Sequence, residues 1–393
     1  MPVTGLDRVT VVHADGTTAL RAVTLLAAEG ELLVVLGPSG SGKSTLLRAV
    51  AGLSAVRSGA VIIGGREVTR LPVQRRNVAM VFESGALLPF LDVAGNMAWG
   101  LRAQRVPEPE VAERVSTQAR GLRLTRLLSR KPEALSAGER GLVGVGRAMV
   151  RTPAVFLLDE PLAHLDAADR LRVRRRIVEV VRGLGITTLY VTHDQADAMA
   201  IADRVAVLRE GAAVQVDRPR ELYSRPADLF VAGFLGTAPM GLLPARLVVS
   251  AGSAGFRVGA RTLPLWAPAP GELIGSVGQQ VVLGVRPEDV HDATGGCDPE
   301  LVALPATVLA VERTGAEKVV TVEVAAPPVT TPGADPAEAR ATAARLRARF
   351  PARAPVRPGS SVQVAVDVAQ VHVFDAATGR GLWHPRPAPD AAQ

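Results

Sequence analysis

A glycine-rich segment near residue 40 constrains the fold of this chain more than any other feature. It follows an entirely apolar run, Leu32–Leu36, and apolar residues recur at helical spacing after it. The segment reads Gly37-Pro38-Ser39-Gly40-Ser41-Gly42-Lys43-Ser44-Thr45. This is the pattern G-x-x-x-x-G-K-[ST], placed between a strand and a helix as its mechanism requires. The sequence therefore predicts a loop that wraps the phosphates of a nucleotide at the start of a helix.

Each residue type in this loop has a physical task. Glycines let backbone N–H groups turn toward phosphate oxygens, and the N-terminus of the helix adds a positive dipole. Lys43 is predicted to reach the β- and γ-phosphates of ATP, and the Ser44 hydroxyl is predicted to bind Mg²⁺. The alternative is a structural turn, but lysine occurs only at Lys43, Lys131 and Lys318, so a chance match to the pattern is rare.

Two further apolar runs end in polar residues. Residues 155–158 precede Asp159 and Glu160, and residues 187–191 precede Thr192 and His193. Polar groups at the carboxyl ends of such strands mark the usual ligand crevice of an open α/β sheet. Each pair alone is weak evidence. Beside a phosphate loop, we expect Asp159 to hold Mg²⁺ through water, Glu160 to orient or deprotonate the attacking water, and His193 to lie near the γ-phosphate.

The chain divides into regions of different texture. Apolar strands that alternate with helices predict a largely parallel α/β sheet over residues 1–236, with a helical insert at about 87–150. Residues 237–393 carry short β-rich runs separated by Pro and Gly, which predict a second, small all-β domain. Within this domain the Pro-, Ala- and Arg-rich stretch 327–358 is an insertion, and its middle, 336–349, is predicted to form a helix.

Composition limits the classes of partner. The net charge is +7 but arginines are scattered, and aromatic residues are only 3% of the chain, so we expect no nucleic-acid surface. The single cysteine, Cys297, cannot form an internal disulfide. The first residues lack the pattern of a secretion signal, and the apolar runs are shorter than the roughly 20 residues that cross a bilayer. We therefore expect a cytoplasmic protein that reaches a membrane only through partners.

The order of these motifs resembles that of ABC transporter ATPases, whose phosphate loop precedes a Q-loop, a signature, an Asp-Glu strand, a D-loop and a His switch. Here the Q-loop and signature correspond to Val81-Phe82-Glu83-Ser84 and Leu135-Ser136-Ala137-Gly138-Glu139-Arg140, the D-loop to Leu165-Asp166 and the switch to His193. The resemblance implies that Ser136 and the backbone near Gly138 contact ATP bound to a second subunit. It also implies that His13 lies against adenine and that Glu83 binds Mg²⁺.

A closer likeness covers nearly the whole chain. The motifs are similar to those of maltose, trehalose and glycerol-phosphate type importer ATPases: Asp194-Gln195-Ala196-Asp197-Ala198-Met199, Glu221-Leu222-Tyr223, Phe230-Val231-Ala232-Gly233-Phe234-Leu235-Gly236 and Gly284-Val285-Arg286-Pro287-Glu288. The likeness implies an OB-like (TOBE-type) regulatory domain at the C-terminal side. It further implies two ATPase subunits, as a homodimer or a close heterodimer, on the cytoplasmic face of the plasma membrane. Their partners would be two membrane permease subunits and an extracytoplasmic solute-binding protein, with residues 83–96 docking the permease.

Several positions depart from the family pattern. Glu83 replaces Gln, Ala137 and Glu139 replace Gly and Gln of the signature, and His13 replaces the usual aromatic residue. Ser136, Gly138, Glu160 and His193 remain, which favours a competent ATPase over a low-turnover regulatory protein. The solute class stays open, because carbohydrate, polyamine, ferric-iron, thiamine and sulfate importers share similar ATPases. A non-transport ABC ATPase is disfavoured, since neither a long coiled-coil insertion nor a second cassette is present.

Overall fold

A computed structural model describes residues 3–83, 86–163, 165–236, 238–250, 253–265, 271–296, 298–313, 315, 317–329 and 342–385. Ser84, Cys297 and residues 336–341 of the predicted helix lie outside these ranges. The chain forms two compact units, Met1–Pro219 and Arg220–Gln393. Residues 220–236, which the sequence analysis placed with the first domain, belong by their contacts to the second unit.

In its described residues, the first unit contains two sheets and six α-helices. Its strands are β1 Val3–Val12, β2 Thr18–Ala28, β3 Leu32–Leu36, β4 Ser58–Ile63, β5 Arg66–Glu67, β6 Val78–Val81, β7 Val155–Asp159, β8 Thr188–Thr192, β9 Arg204–Arg209 and β10 Ala212–Asp217. Its helices are α1 Lys43–Ala51, α2 Val93–Ala103, α3 Glu108–Gly121, α4 Ala137–Met149, α5 Ala167–Leu184 and α6 Gln195–Ile201.

The larger sheet of this unit has the order β10-β9-β3-β8-β7-β6. All of its pairings are parallel except that of β10 with β9. Every residue of β3, β7 and β8 is buried, as expected of strands covered on both faces. The smaller sheet, β2-β1-β4-β5, is antiparallel, and its apolar side chains share one core with β3 and α1. The predicted α/β fold is confirmed.

The helical insert comprises α2, α3 and α4, each of which begins at a residue suited to that place. Asp92 caps α2 by accepting a hydrogen bond from the Gly95 amide at 2.7 Å, and Pro107 precedes α3. The first N–H groups of a helix have no carbonyl partner within the helix, so a proline, which lacks an N–H, is well tolerated at this position. Ser136 caps α4. These three residues mark where each helix of the insert begins.

The second unit is largely β-structure. Its helices are α7 Pro219–Ser224, α8 Leu229–Phe234 and α9 Gly271–Ile274. Its strands are β11 Gly241–Ser250, β12 Ser253–Val258, β13 Arg261–Pro264, β14 Gln280–Val285, β15 Val290–Asp292, β16 Val302–Arg313, β17 Glu317–Val324, β18 Ala344–Pro351, β19 Ser361–Val366, β20 His372–Asp375 and β21 Gly381–Trp383. Five of them close a barrel in the order β15-β18-β17-β16-β19, and six others form an open sheet, which confirms the predicted small β-barrel domain.

The helix predicted over residues 336–349 is wrong where the structure describes it. Residues 344–351 form β18, which pairs antiparallel with β17 from Ala344 to Pro351. Burial alternates along β18, with Leu346 and Phe350 inside and Arg345 and Arg349 outside. Ala, Arg and Leu favour helices by composition, but the spacing of apolar residues here has period two, and burial in the barrel decides the conformation.

Within the second unit, Arg286 connects α7 and α8 to the β-structure. Arg286, after β14, donates from Nη1 to the Leu235 carbonyl at 2.8 Å and from Nη2 to the Tyr223 carbonyl at 2.7 Å. Its guanidinium also lies 3.8 Å from the centre of the Tyr223 ring, and the Tyr223 hydroxyl donates to Glu288. Tyr223, Arg286 and Glu288 of the two sequence motifs therefore contact one another and have a structural role. None of the helices in the described ranges is long and apolar enough to cross a membrane.

Candidate nucleotide-binding site

The glycine-rich loop leads from β3 directly into α1. Gly40 and Gly42 have φ of +78° and +102°, a region that side chains disfavour. A Cβ on Gly42 would lie only 2.5 Å from the Ala19 carbonyl oxygen of β2. At Gly42 the loop thus packs against β2 too closely for a side chain, and glycine at these positions lets the backbone adopt the turn that a phosphate-binding loop needs. His13 lies in the turn before β2, where its amide donates to the Thr17 carbonyl at 2.9 Å.

Lys43 begins α1, and its ammonium lies within the loop. It donates to the carbonyls of Gly37 and Pro38, both at 2.9 Å, and the residue is 6% exposed. Burial lowers the pKa of Lys43, whereas the carboxylates of Glu160 and Asp159 raise it. A buried cation that has only backbone carbonyls as partners, with two carboxylates nearby, can transfer its hydrogen bonds to phosphate oxygens.

Ser44 and Asp159 meet where α1 passes the end of β7. The Ser44 hydroxyl donates to Asp159 Oδ1 at 3.0 Å, and Asp159 is 5% exposed. Burial raises the pKa of Asp159, the Ser44 hydrogen bond and Arg48 lower it, and the charges of Glu160 and Glu83 raise it further. The structure therefore places Glu83 close enough to Asp159 for their charges to interact.

These oxygens fit a hard divalent cation. A hydroxyl and a carboxylate at hydrogen-bond distance, with two further carboxylates nearby, form a region whose negative charge Mg²⁺ would neutralise. No group of three His, Cys, Asp or Glu side chains in the described ranges forms a metal site by itself. That is consistent with Mg²⁺, which keeps waters and phosphate oxygens as most of its ligands.

Glu160 and His193 form a pair at the ends of adjacent strands β7 and β8. His193 Nδ1 lies 2.6 Å from Glu160 Oε2, and the side chains are 56% and 17% exposed. A carboxylate only accepts, so Nδ1 carries the proton when Glu160 is ionised. The Glu160 amide donates to the Val191 carbonyl at 3.0 Å. The contact fixes the orientation of both side chains on the same sheet edge as the phosphate loop.

The predicted signature residues start α4. Ser136 accepts a hydrogen bond from the Glu139 amide at 3.2 Å, and Glu139 accepts one from the Ser136 amide at 2.8 Å, which is a capping box. Gly138 is buried against α5, and a Cβ there would lie 3.1 Å from a methyl group of Val173. The substitution of Glu139 for Gln thus preserves the reciprocal cap. In the described residues, no hydrogen bond joins Ser136 or Gly138 to the phosphate loop.

An exposed aromatic pair lies next to the Q-loop region. Phe90 is 62% and Trp99 49% exposed, and their ring centres are 6.3 Å apart in an edge-to-face arrangement. Phe90 lies within residues 83–96, which the family likeness assigns to permease docking, whereas the sequence analysis did not single out Trp99. On α2, Trp99 stands between the buried Ala98 and the half-buried Gly100, so its exposure is seen only in the structure.

A nucleotide loop at the carboxyl edge of a parallel sheet, flanked by an antiparallel sheet and a helical insert, is the arrangement of an ABC-type ATPase. The family model described as "ABC transporter" matches residues 20–163. Among solved structures, cbiO1 of Clostridium perfringens, part of an ABC transporter complex, covers 57% of this chain and 90% of its own at a TM-score of 0.53 and 26% identity. A dimeric ATP-binding cassette with bound ADP and Pi covers 56% of this chain and 99% of its own at a TM-score of 0.50 and 27% identity.

Curated relatives match over nearly the full length. The chain is 44% identical to an sn-glycerol-3-phosphate import ATP-binding protein of Cereibacter sphaeroides, over 93% of this chain and 96% of the relative. It is 41% identical to a trehalose/maltose import ATP-binding protein of Thermococcus litoralis, over 93% and 96%. It is also 41% identical to a trehalose import ATP-binding protein of Mycobacterium tuberculosis, over 98% and 99%. The chain belongs to the ABC transporter family and is an ATP-binding subunit of an importer. It is an ATP hydrolase.

Proposed function

We propose that this protein energises the uptake of a carbohydrate or a glycerol-phosphate type solute. The support is the similarity over almost the whole chain to relatives whose names specify glycerol-3-phosphate, trehalose and maltose import. Two membrane permease subunits would carry the solute, and an extracytoplasmic binding protein would deliver it. The ATPase would attach to the permease at the cytoplasmic face. Uptake of polyamine, ferric iron, thiamine or sulfate is the alternative that a transport assay would detect.

The geometry supports hydrolysis by a direct attack of water on the γ-phosphate. The loop amides and Lys43 bind the phosphates, and Ser44 with Asp159 would hold Mg²⁺, which when bound neutralises phosphate charge. Glu160 orients or deprotonates the water, and His193 holds the Glu160 carboxylate at 2.6 Å. That single contact is the main support for the proposal, because it brings a carboxylate and an imidazole together at the same sheet edge as the phosphate loop.

The test is Glu160→Gln, which keeps the size of the side chain but removes the base. We expect ATP to bind as in the wild type, and the hydrolysis rate to fall by about 10²–10⁴-fold, the usual contribution of a general base. ATP affinity and phosphate release would be measured side by side. Glu210→Gln, a change at an exposed carboxylate, should leave both unchanged. Wild-type turnover in Glu160→Gln would exclude Glu160 as the catalytic carboxylate.

The same variant tests assembly. The solved cassette that resembles this chain is a dimer, and the exposed Ser136 at the start of α4 suits a contact with nucleotide on a second subunit. Slow hydrolysis should trap that state, so Glu160→Gln with ATP should elute as a dimer on gel filtration. An additional Ser136→Ala change should weaken the dimer. A monomer under all conditions would contradict the proposed arrangement.

A further inference from the structure

Two arginines of α5 bind two aspartates that follow His193. Arg170 Nη1 lies 2.8 Å from Asp194 Oδ2, and Arg174 Nη1 lies 2.7 Å from Asp197 Oδ1. The Arg174 and Asp197 side chains are 18% and 3% exposed, and those of Arg170 and Asp194 are 31% and 24% exposed. The two ion pairs fasten α6, and the turn that holds His193, to the first turns of α5.

Arg170 is the arginine that also touches the loop after Glu160. Its Nη2 donates to the Leu165 carbonyl at 3.4 Å, a long hydrogen bond. Arg170 lines a cavity of about 10 Å³ together with Glu160, Ala163, His193 and Asp194. The same guanidinium therefore faces the catalytic pair, the loop that leads from β7 to α5, and the turn that leads from β8 to α6.

Asp194 connects Arg170 to His193, because it follows His193 in the chain and is held by three hydrogen bonds. Its Oδ1 accepts the Asp197 amide at 3.0 Å as the cap of α6, and its own amide donates to the Thr192 hydroxyl at 2.9 Å. Its other oxygen, Oδ2, is bound by Arg170. His193 thus stands between two residues whose positions are fixed by hydrogen bonds. Loss of Arg170 would remove the ion pair that joins Asp194, the residue next to His193, to α5.

Stability alone does not account for the arrangement. The Tyr190 hydroxyl and Arg170 Nε are buried here without a hydrogen-bond partner, and burial raises the pKa of Asp197 even though Arg174 is bound to it. Buried ion pairs seldom stabilise a fold more than apolar packing would, and each orphaned polar atom is unfavourable. A polar cluster of this kind beside a catalytic pair is more simply explained by precise placement of that pair.

We propose that Arg170 is a positioning residue for ATP hydrolysis, which holds His193 against Glu160 by binding Asp194 from the first turn of α5. The inference rests on the proposed roles of Glu160 and His193 in hydrolysis. Arg170 touches neither nucleotide-loop residues nor the Ser44–Asp159 pair, so it acts on the rate of the chemical step and not on ATP binding.

The experiment compares Arg170→Met, Arg170→Lys and Arg182→Met. Arg182 is the matched control, because it lies on the same helix and bonds to the Ile201 carbonyl and to Asp203, beyond α6. We expect Arg170→Met to lower kcat by about 10–100-fold, as a misplaced catalytic group does, with KM for ATP within about twofold of wild type. Arg170→Lys should recover part of kcat. Arg182→Met should match Arg170→Met in thermal midpoint but keep full kcat.

A second measurement separates positioning from an independent effect. In a His193→Ala background, Arg170→Met should cause no further loss in single-turnover hydrolysis, because the residue through which it acts is gone. An equal loss in both backgrounds, or an unchanged kcat in Arg170→Met, overturns the proposal. Its failure differs from that of the proposed function, since full turnover by Glu160→Gln would reject the roles of the pair whatever Arg170 does.

Discussion

Glu160 holds its carboxylate next to His193 in a left-handed backbone conformation, with φ of +46°. For a residue with a side chain this conformation is unfavourable by about 1–3 kcal/mol, and it persists where neighbours fix it. Here the Glu160 amide is bonded to the Val191 carbonyl, and the Glu160 carbonyl accepts the Ala163 amide at 3.2 Å. The backbone turns sharply after Asp159, so that two consecutive carboxylates serve different tasks: Asp159 faces Ser44 and Glu160 faces His193.

Glu83 gives a sharp test of the metal site at the level of a single residue. Its charge raises the pKa of Asp159, so it adds repulsion toward a triphosphate but offers Mg²⁺ a hard oxygen ligand. Glu83→Gln should bind metal-free ATP more tightly and should lose Mg²⁺ affinity. The difference should shrink at high salt, because Glu83 is exposed and screened. ATP affinity with EDTA and with Mg²⁺ would be measured for both proteins.

Glu113→Gln is the control for that comparison, since Glu113 is an exposed carboxylate on α3. It should show the Mg²⁺ dependence of the wild type at every salt concentration. If Glu83→Gln also behaves as the wild type does, Glu83 points away from the metal, and the correspondence of this residue to the Q-loop loses its chemical basis.

The sequence indicates which polar residues meet at this sheet edge better than it indicates the contacts that support them. Lys43, Ser44 and Asp159 follow strands in an α/β pattern, and the carboxyl ends of adjacent parallel strands must lie together. Arg170 and Asp194 are 24 residues apart in different helices, and no local pattern indicates that they pair. Such contacts depend on how α5 and α6 pack, which a single sequence does not specify.

At the scale of elements, the backbone of residues 88–92, just before α2, is held by hydrogen bonds to buried and charged side chains. Asn96 is fully buried, and its side-chain amide binds the Leu88 amide and the carbonyls of Leu88, Leu91 and Asp92 at 2.8–3.2 Å. Lys131 also donates to the Phe90 carbonyl, at 2.6 Å. These hydrogen bonds fix the backbone around Phe90. The Phe90 ring is exposed, and it makes an edge-to-face contact with the Trp99 ring.

This exposed pair is where we expect the permease to dock. An apolar helix of a membrane partner would cover the Phe90 and Trp99 rings, and a charge placed between them would be desolvated without a partner. Phe90→Asp should therefore release the ATPase from membranes that contain the permease subunits and should leave the ATPase rate of the isolated protein unchanged. Sedimentation with membranes and phosphate release would be measured on the same preparations.

Ile274→Asp is a matched control for this release, because Ile274 is 63% exposed, as Phe90 is at 62%, but lies in the second unit. It should stay bound to membranes. Retention of Phe90→Asp would reject the docking assignment, and a loss of isolated ATPase activity in that variant would indicate damage to the fold.

The type of an element could be predicted where the spacing of apolar residues was unambiguous. The prediction failed where amino-acid composition favoured a different element from the one that the spacing indicated. The buried runs of β3, β7 and β8 have no competing period. In β18, helix-forming residues occupy a strand in which Leu346 and Phe350 fill the barrel. The pairing with β17 is non-local, and only the fold of the second unit shows which of the two tendencies prevails.

At the scale of the whole molecule, each unit contains ionisable groups whose pKa is shifted by burial. In the first unit, Lys43 and Asp159 are two such groups, and both lie at the nucleotide loop. In the second unit, the carboxyl of Asp289 lies among Glu288 and Asp367, near Arg286 and Arg349. Burial, followed by the two carboxylates, raises the pKa of Asp289 to about 7, although the two arginines lower it. The stability of the second unit should therefore depend on pH between about pH 4 and 7.

Asp289 has a higher pKa in the folded than in the unfolded chain, where it is about 3.9. Between these values the folded state keeps a proton that the unfolded state has lost, so stability falls as pH rises and levels off above about pH 7. Asp289→Asn removes this dependence. Its thermal midpoint should match the wild type at about pH 4 and below, exceed it increasingly up to about pH 7, and keep a constant gain above. Asp375→Asn is the opposite control. Hydrogen bonds from Thr378 lower the pKa of Asp375, so its loss should reduce the midpoint evenly from pH 5 to 8. A gain for Asp289→Asn that does not change with pH would show that the carboxyl is not titrating in the neutral range.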